Sequence, residues 1–541
     1  MTRTATAVCD GALLGARIRT LDPEAPLASA VAWRDGTIVA VGSDDEIRPL
    51  LGPRSERFDG AGLTVTPGLT DSHVHPFLGT DSTRGVDLRD CRDLDAVRAR
   101  LRAAAAELRD GEWLLGHSLG YDHFAAGAIH WDAVAEAAGE RPLHIRFFDG
   151  HTDLANAQAL AAAGVDGPRR FDSAAEVVCD AAGRPTGELR ELAAMELVRA
   201  AIPAPTHAQR LDAYAATLRA MARVGLTGAH VMSGDRELLD VVAELEASGR
   251  LALRLWMPLR NEPETDDEEI ALRLPLAGRG GRRWTTAIAK FFLDGVIESG
   301  TAWLLEPGPG GVNQAPFWSD GDRYAELVRR FTAAGFACVS HAVGEGAVRA
   351  ALDAYAQAGP PRAGMHRVEH IEVLHDDDLP RFAALGVAAS MQASHMAGLD
   401  DPSLATAWAA MLPAGARERG FRSGDLLRAG ATLPLGSDWM VADYDPRDGM
   451  AWAQLRRQPG RPDHVPHLPD QALDAAAALA GYTTAAAAVV GEPRAGRIAP
   501  GAFADLTAWA ADPLAVDGDE LAQVPIRLTV LDGEVTHREE G

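Results

Sequence analysis

Hydrophobic and polar positions alternate with a period of two near both ends of this 541-residue chain, and the rhythm changes between them. GALLGARIRTLD, ASAVAWRDGTIVAVG and GLTVTPG carry the alternation early, with the turn pair Asp35-Gly36 inside the second stretch. Period-two patterning broken by an Asp-Gly pair predicts antiparallel hairpins. GRIAPGAFADLTAWA and IRLTVLDGEVTH repeat the texture near the far end, with Asp532-Gly533 between two predicted strands. The two terminal pieces, residues 1–65 and 485–541, therefore predict one β-sandwich built jointly by both ends.

In residues 66–81 and 206–484, apolar runs alternate with amphipathic helical stretches such as Arg323 to Arg330. The runs are Leu69 to His75, Leu226 to His230, Leu253 to Met257, Thr286 to Phe292, Ala337 to His341, Met365 to His370, Val387 to Gln392 and Thr432 to Asp438. Eight such units predict an α/β fold, a (β/α)8 TIM barrel whose strand C-termini share one mouth. An open doubly wound sheet is the competing arrangement, but no Gly-rich nucleotide loop follows an early strand. Residues 82–205 are too many for one barrel connection, and their helix-like and strand-like runs predict an inserted α/β module.

Composition narrows the partners. Lys plus Arg number 52 against 77 Asp plus Glu, a formal net charge of -25, which argues against nucleic acid or an anionic membrane as the general partner. Four cysteines show no short pairing pattern, and neither a bilayer-spanning run nor a signal peptide is recognisable. The expectation is a soluble, cytoplasmic protein. Lys290 is the only lysine, so nearly all positive charge is guanidinium. Unlike guanidinium, a primary amine can form a carbamate.

In PGLTDSHVHPF, His73 and His75 are one residue apart, so an extended backbone sends both imidazoles to one side. At a barrel mouth that pair suits a divalent ion, with Asp71 placed to orient one ring. His341 closes FACVSH, His370 closes MHRVEH, and Asp438 follows TLPLGS. Taken singly, each has an ordinary reading as a hydrogen-bonding strand end or a helix cap. Their recurrence after separate strands favours a metal centre, with Asp438 as metal ligand and base toward an activated water. A carbamate on Lys290 would supply two oxygens to bridge ions; an ordinary lysine would need an acid such as Asp294. Arg367 and Glu369 alternate before His370 and so are expected to face away from it.

This ordered set resembles the metal-dependent amidohydrolase superfamily. TPGLTDSHVHPF, DGHTDLANAQAL, RPTGELRE, KFFLDGVIESGTA, HAVGEGAV, RVEHIEV, MQASH, LPLGSDW and AGRIAPGAFADLTAW further resemble its YtcJ-like branch, which includes N-substituted formamide deformylase-like proteins. The resemblance implies His73 and His75 on a first metal, His341 and His370 on a second, Lys290 bridging as a carbamate, and Asp438 on metal and proton. Zinc, one or two ions, leads; iron or manganese also suits these ligands. His151 and Asn156 fall in the branch's substrate-pocket segment, and His151 or His230 would stabilise a developing oxyanion. Gln392, His395 and Trp439 would line the pocket. Ala393 stands where the branch commonly has proline, which weakens that part of the likeness.

The expected activity is metal-assisted hydrolysis of a small-molecule amide-like C–N bond. An ester or cyclic amide would use the same machinery, and a catalytically inactive metal- or small-molecule-binding protein is the non-enzymatic alternative. A homodimer is expected on general grounds.

Overall fold

The near-continuous apolar runs of the middle region become parallel strands buried on both faces, as such runs must when helices cover the outside of a sheet. The computed structural model describes residues 8–124, 129–147, 152–171, 175–314, 316–399 and 407–539. They divide into two units, one spanning Met1–Pro76 with Tyr214–Gly541 and the other Phe77–Ala213.

Seven parallel strands form the centre of the first unit: β1 (Leu69–Val74), β2 (Leu226–Val231), β3 (Arg254–Arg260), β4 (Trp284–Phe292), β5 (Ala337–Ala342), β6 (Arg367–His370) and β7 (Ala388–Ser390). Each pairs with its chain neighbour, so the sheet order is the sequence order. β3 continues to Arg260, three residues past its predicted end, with its register shifting at Met257/Pro258, where the proline has no N–H to give the ladder. The connecting helices carry their own signals. In Gly321–Ala334, the Asp320 carboxylate accepts from the N–H groups of Asp322 and Arg323, and Gly335 ends the helix at φ 104°.

The gap between β7 and β1 is spanned by residues 432–439. Carbonyls of Thr432 and Pro434 accept from Ala389 and Met391 on one side; on the other, Ser72 donates to Leu435 and Asp438 donates to His73. Pro434 and the positive φ of Asp438, 55°, keep this stretch from being a regular strand, yet its hydrogen bonds nearly close the barrel. Gly436 is required here. A Cβ would lie 2.5 Å from the His73 backbone nitrogen and 2.8 Å from an Asp71 oxygen.

Both chain ends contribute to two further sheets. One has four strands, including Cys9–Leu14 and Ala30–Arg34; the other has six, in which Thr64–Pro67 pairs with Leu506–Trp509. Leu13, Ile18, Val31, Ile38, Phe58, Val65, Leu506 and Val530 bury their side chains in one shared core. Trp33 stacks on Phe58 and donates its indole N–H to the Gly533 carbonyl, 500 residues along the chain.

The second unit carries a six-stranded mixed sheet in which Leu114–Leu119 and Leu143–Phe147 are parallel neighbours. Inside it, Asp153 is fully buried between the His144 imidazole at 2.7 Å and the Arg199 guanidinium at 2.8 and 2.9 Å. Burial pushes the Asp153 carboxyl up, but these two partners hold it below its ordinary range.

Trp33→Ala removes a buried aromatic and a bond between the two chain ends. The expected loss is about 3–5 kcal/mol of unfolding free energy in urea denaturation, with Trp33→Phe costing markedly less.

Candidate metal centre

The C-terminal ends of β1, β6 and the closing segment converge on Asp438. Its Oδ1 lies 2.9 Å from His75 Nε2 and 3.3 Å from His73 Nε2, and the three residues form one cluster able to hold a metal ion. The far nitrogens of both rings are taken: His73 Nδ1 is 2.6 Å from Glu369 Oε2, and His75 Nδ1 meets the Ser233 hydroxyl. An imidazole whose Nδ1 is held by a carboxylate or hydroxyl presents its Nε2 lone pair in a fixed direction, as metal-binding histidines do. Burial lowers the His75 pKa, which favours the neutral ring a metal needs. Burial raises the Asp438 carboxyl, but the two imidazoles outweigh it and hold it well below its ordinary range.

A second cluster shares the same carboxylate. His370 and His395 join Asp438, with His395 Nε2 at 3.6 Å from Oδ2. His370 stands at φ 74° and Ile371 at 51°, so the chain turns left-handed where β6 ends. Such strain is retained where surrounding structure enforces it, commonly at functional sites. Arg367 and Glu369 point inward, and the left-handed step then brings His370 to the centre beside them, with ring centroids 4.8 Å from His73.

Simple alternation puts Arg367 and Glu369 on the side away from His370, whereas in the structure all three face the centre. Arg367 Nε lies 3.2 Å from Glu369 Oε1. Burial pushes the Glu369 carboxyl up, but Arg367 and His73 bring it down to about 2. An ionised, buried Glu369 is thus built to accept a hydrogen bond from His73 Nδ1–H. Asp71 also differs from expectation: it accepts from the backbone N–H groups of His73 and Ser437 and from the Ser437 hydroxyl at 2.6 Å, orienting the main chain and no imidazole.

His341 lies beside the centre, 4.3 Å from His370 between ring centroids, but its Nε2 faces the Gly295 carbonyl at 3.0 Å. Burial, with Lys290 nearby, pushes its pKa down to about 3. Asp294 fixes the loops around it, accepting from the N–H groups of Trp303, Val343 and Gly344. Lys290 is fully buried on β4, and its Nζ has no hydrogen-bond partner among the described residues. Burial lowers its pKa to about 8, against the pull of Glu369 and Asp438. A buried amine without a hydrogen-bond partner, its pKa lowered toward neutrality, fits the chemistry of carbamate formation.

The pocket residues fare differently. Asn156 is not open to a substrate: its buried amide accepts from Leu143 and Ala159 N–H groups and donates to the Arg141 carbonyl, capping a helix. Gln392 likewise spends its Oε1 on the His370 N–H. His230 is fully buried, its Nδ1 on the Arg367 guanidinium at 2.9 Å and its ring edge-on to Trp256, so it is a support for Arg367 below the mouth. Trp439 is half-buried and edge-on to Tyr444, with its carbonyl accepting from His75 N–H. His151 lies outside the described residues.

The model of an amidohydrolase family matches residues 56–537, and the chain belongs to that family, a family of hydrolytic enzymes. It is 26% identical over 543 residues to the "Putative amidohydrolase YtcJ" of Bacillus subtilis (strain 168), covering 97% of this chain and 98% of that one. It is 25% identical over 567 residues to the N-substituted formamide deformylase of Arthrobacter pascens, covering 99% and 100%. Among solved structures, an uncharacterized metal-dependent hydrolase from Pyrococcus horikoshii OT3 superposes with a TM-score of 0.75 at 23% identity, over 94% of this chain and 99% of that one. No helix among the described residues is long and apolar enough to cross a membrane.

Glu369→Gln keeps the shape but removes the charge that holds His73 and Arg367. Metal affinity, measured by competition with a chromogenic chelator, is expected to fall about 10–100-fold.

Proposed function

We propose that this hydrolase cleaves an amide-like C–N bond in a small, non-peptide substrate, with zinc as the working ion. The observation that carries the reading is the convergence of His73 Nε2, His75 Nε2 and Asp438 Oδ1, with both Nδ1 atoms already tied to Glu369 and Ser233. The donor set of imidazoles and carboxylate suits zinc, and manganese or iron to a lesser degree. When bound, such an ion lowers the pKa of a water and polarises a carbonyl oxygen.

The residues divide the remaining work. His73 and His75 aim their Nε2 atoms at one point, and Glu369 fixes the His73 tautomer. Asp438 accepts the proton of the attacking water and returns it to the departing nitrogen. The two imidazoles keep it an anion, a weak base that releases a proton readily once it has taken one. Lys290 supplies a carbamate, whose two oxygens would complete the ligand set and neutralise cationic charge in the barrel. The likeness to the N-substituted formamide deformylase favours amides over esters as substrates.

Dialysis against a chelator is expected to abolish hydrolysis, and added zinc to restore it. On a panel of N-substituted amides, cyclic amides and esters, turnover of amides supports the assignment, while turnover of esters alone rejects it. Asp438→Asn should lower kcat by roughly 10²–10⁴-fold. Lys290→Ala should be inactive and partly rescued by formate or acetate, which offer the missing oxygens; rescue equal to that of an unrelated site variant would reject the carbamate.

A further inference from the structure

Three arginines are buried among the described residues, and two of them sit on an acid. Arg254 Nε lies 2.9 Å from Asp505 Oδ2, and Arg367 Nε lies 3.2 Å from Glu369 Oε1. The third, Arg456, is 1% exposed and has no carboxylate partner among those residues. Acids are not in short supply, since the chain carries 77 against 52 lysines and arginines. Burial brings the Arg456 pKa down to about 10, and no neighbouring charge works against it. A guanidinium shut away from water without an anion carries a desolvation cost that neutral acceptors offset only in part.

Neutral acceptors take two of its three nitrogens. Nε donates to the His467 carbonyl at 2.9 Å, and Nη1 donates to the Phe421 carbonyl at 2.9 Å and the Ser423 hydroxyl at 3.3 Å. Nη2 has no partner among the described residues, and neither does His467 Nε2, on a residue 8% exposed. The residues carrying these two orphaned nitrogens are bonded in both directions, because the His467 N–H donates to the Arg456 carbonyl at 2.8 Å. Half-buried Arg417 adds a second positive charge that acts on the His467 ring. Trp408 stands edge-on to that ring with centroids 6.2 Å apart.

We propose that Arg456 Nη2 and His467 Nε2, under the positive charge of Arg417, bind a compact monovalent anion of the halide class, at a site apart from the metal centre.

The spent nitrogens choose the class of anion. A carboxylate or phosphate is gripped by guanidinium through two parallel N–H groups, and here only Nη2 is free, so that fork is unavailable. A single-atom anion needs no fork. Burial, with Arg456 and Arg417 nearby, brings the His467 pKa down to about 4, so the ring is neutral and, with its proton on Nε2, supplies the second donor. The backbone around the site is strained: Phe421, Arg456 and Leu468 stand at φ 46°, 57° and 44°, and non-glycine residues hold such angles where the surroundings enforce them. The anion also braces the metal centre from behind. Arg456 holds the Phe421 carbonyl, the Phe421 N–H donates to the Glu372 carbonyl at 2.9 Å, and Trp408 Nε1 donates to Glu372 Oε2 at 2.7 Å, two residues beyond His370.

The full-length protein is dialysed into sodium gluconate and titrated with sodium chloride or bromide at constant ionic strength while thermal unfolding is followed. Crystals grown without halide are soaked in bromide and measured at its absorption edge. The expected result is a saturable rise in Tm of roughly 1–3 °C, with an anomalous peak beside Arg456 Nη2 and His467 Nε2. His467→Phe should lose the saturable rise, and Arg417→Gln should need about tenfold more halide to reach it. Because Arg456 holds three chain segments together, these two variants, and not a change at Arg456, carry the comparison. No saturable rise in wild type, an equal rise in both variants, or water in place of the anomalous peak overturns the proposal. A bromide peak without a saturable response in solution means an adventitious ion only, and overturns it too. Displacement of the bromide by sulfate or phosphate at the same position rejects the halide assignment.

Discussion

The site depends on a seam. Residues 432–439 must lie against β1 closely enough to carry Asp438 to His73 and His75, although they include a proline and are not a regular strand. Asp71 makes the approach possible: its buried carboxylate gathers the His73 N–H and both the N–H and hydroxyl of Ser437, joining chain segments 366 residues apart. Burial raises that carboxyl to about 6, and the hydrogen bonds from Ser437 and His73 work against the rise. Gly436 supplies the space. The candidate metal site is therefore a property of how the barrel is closed, and not only of which side chains it carries.

Behind the cage lies a chain of charged and polar groups that would be costly if any member were unpaired. Arg367 touches Glu369, the Ser72 carbonyl and His230, while Glu369 touches His73. Each contact constrains the next, so a ring at the mouth is held by an arginine deeper in the barrel. Such networks are more informative about precision of placement than about net stability, because desolvation offsets much of their attraction.

Much of this was legible from residue order. The paired histidines of β1 follow from strand geometry, and Lys290 and His370 stand at strand ends that apolar runs mark clearly. Alternation failed where the backbone stopped being extended: the left-handed step at His370 put Glu369 inward, which no count of odd and even positions reveals. His395 was visible as a polar residue past the seventh strand, but a short 3-10 turn has no periodic signature to say where its side chain goes. Asn156 and Gln392 misled for another reason. An amide that caps a backbone looks, in a sequence, the same as one that binds a ligand, and burial alone tells them apart.

The solitary lysine has a practical consequence for anyone handling the protein. Succinimidyl dyes, formaldehyde and amine-coupled surfaces find few targets on a chain whose sole ε-amino group is shut inside the barrel. Modification at that position becomes a clock for opening of the interior, read against the terminal amine as an internal standard. Proteomic digestion of the chain, correspondingly, reports arginine sites almost alone.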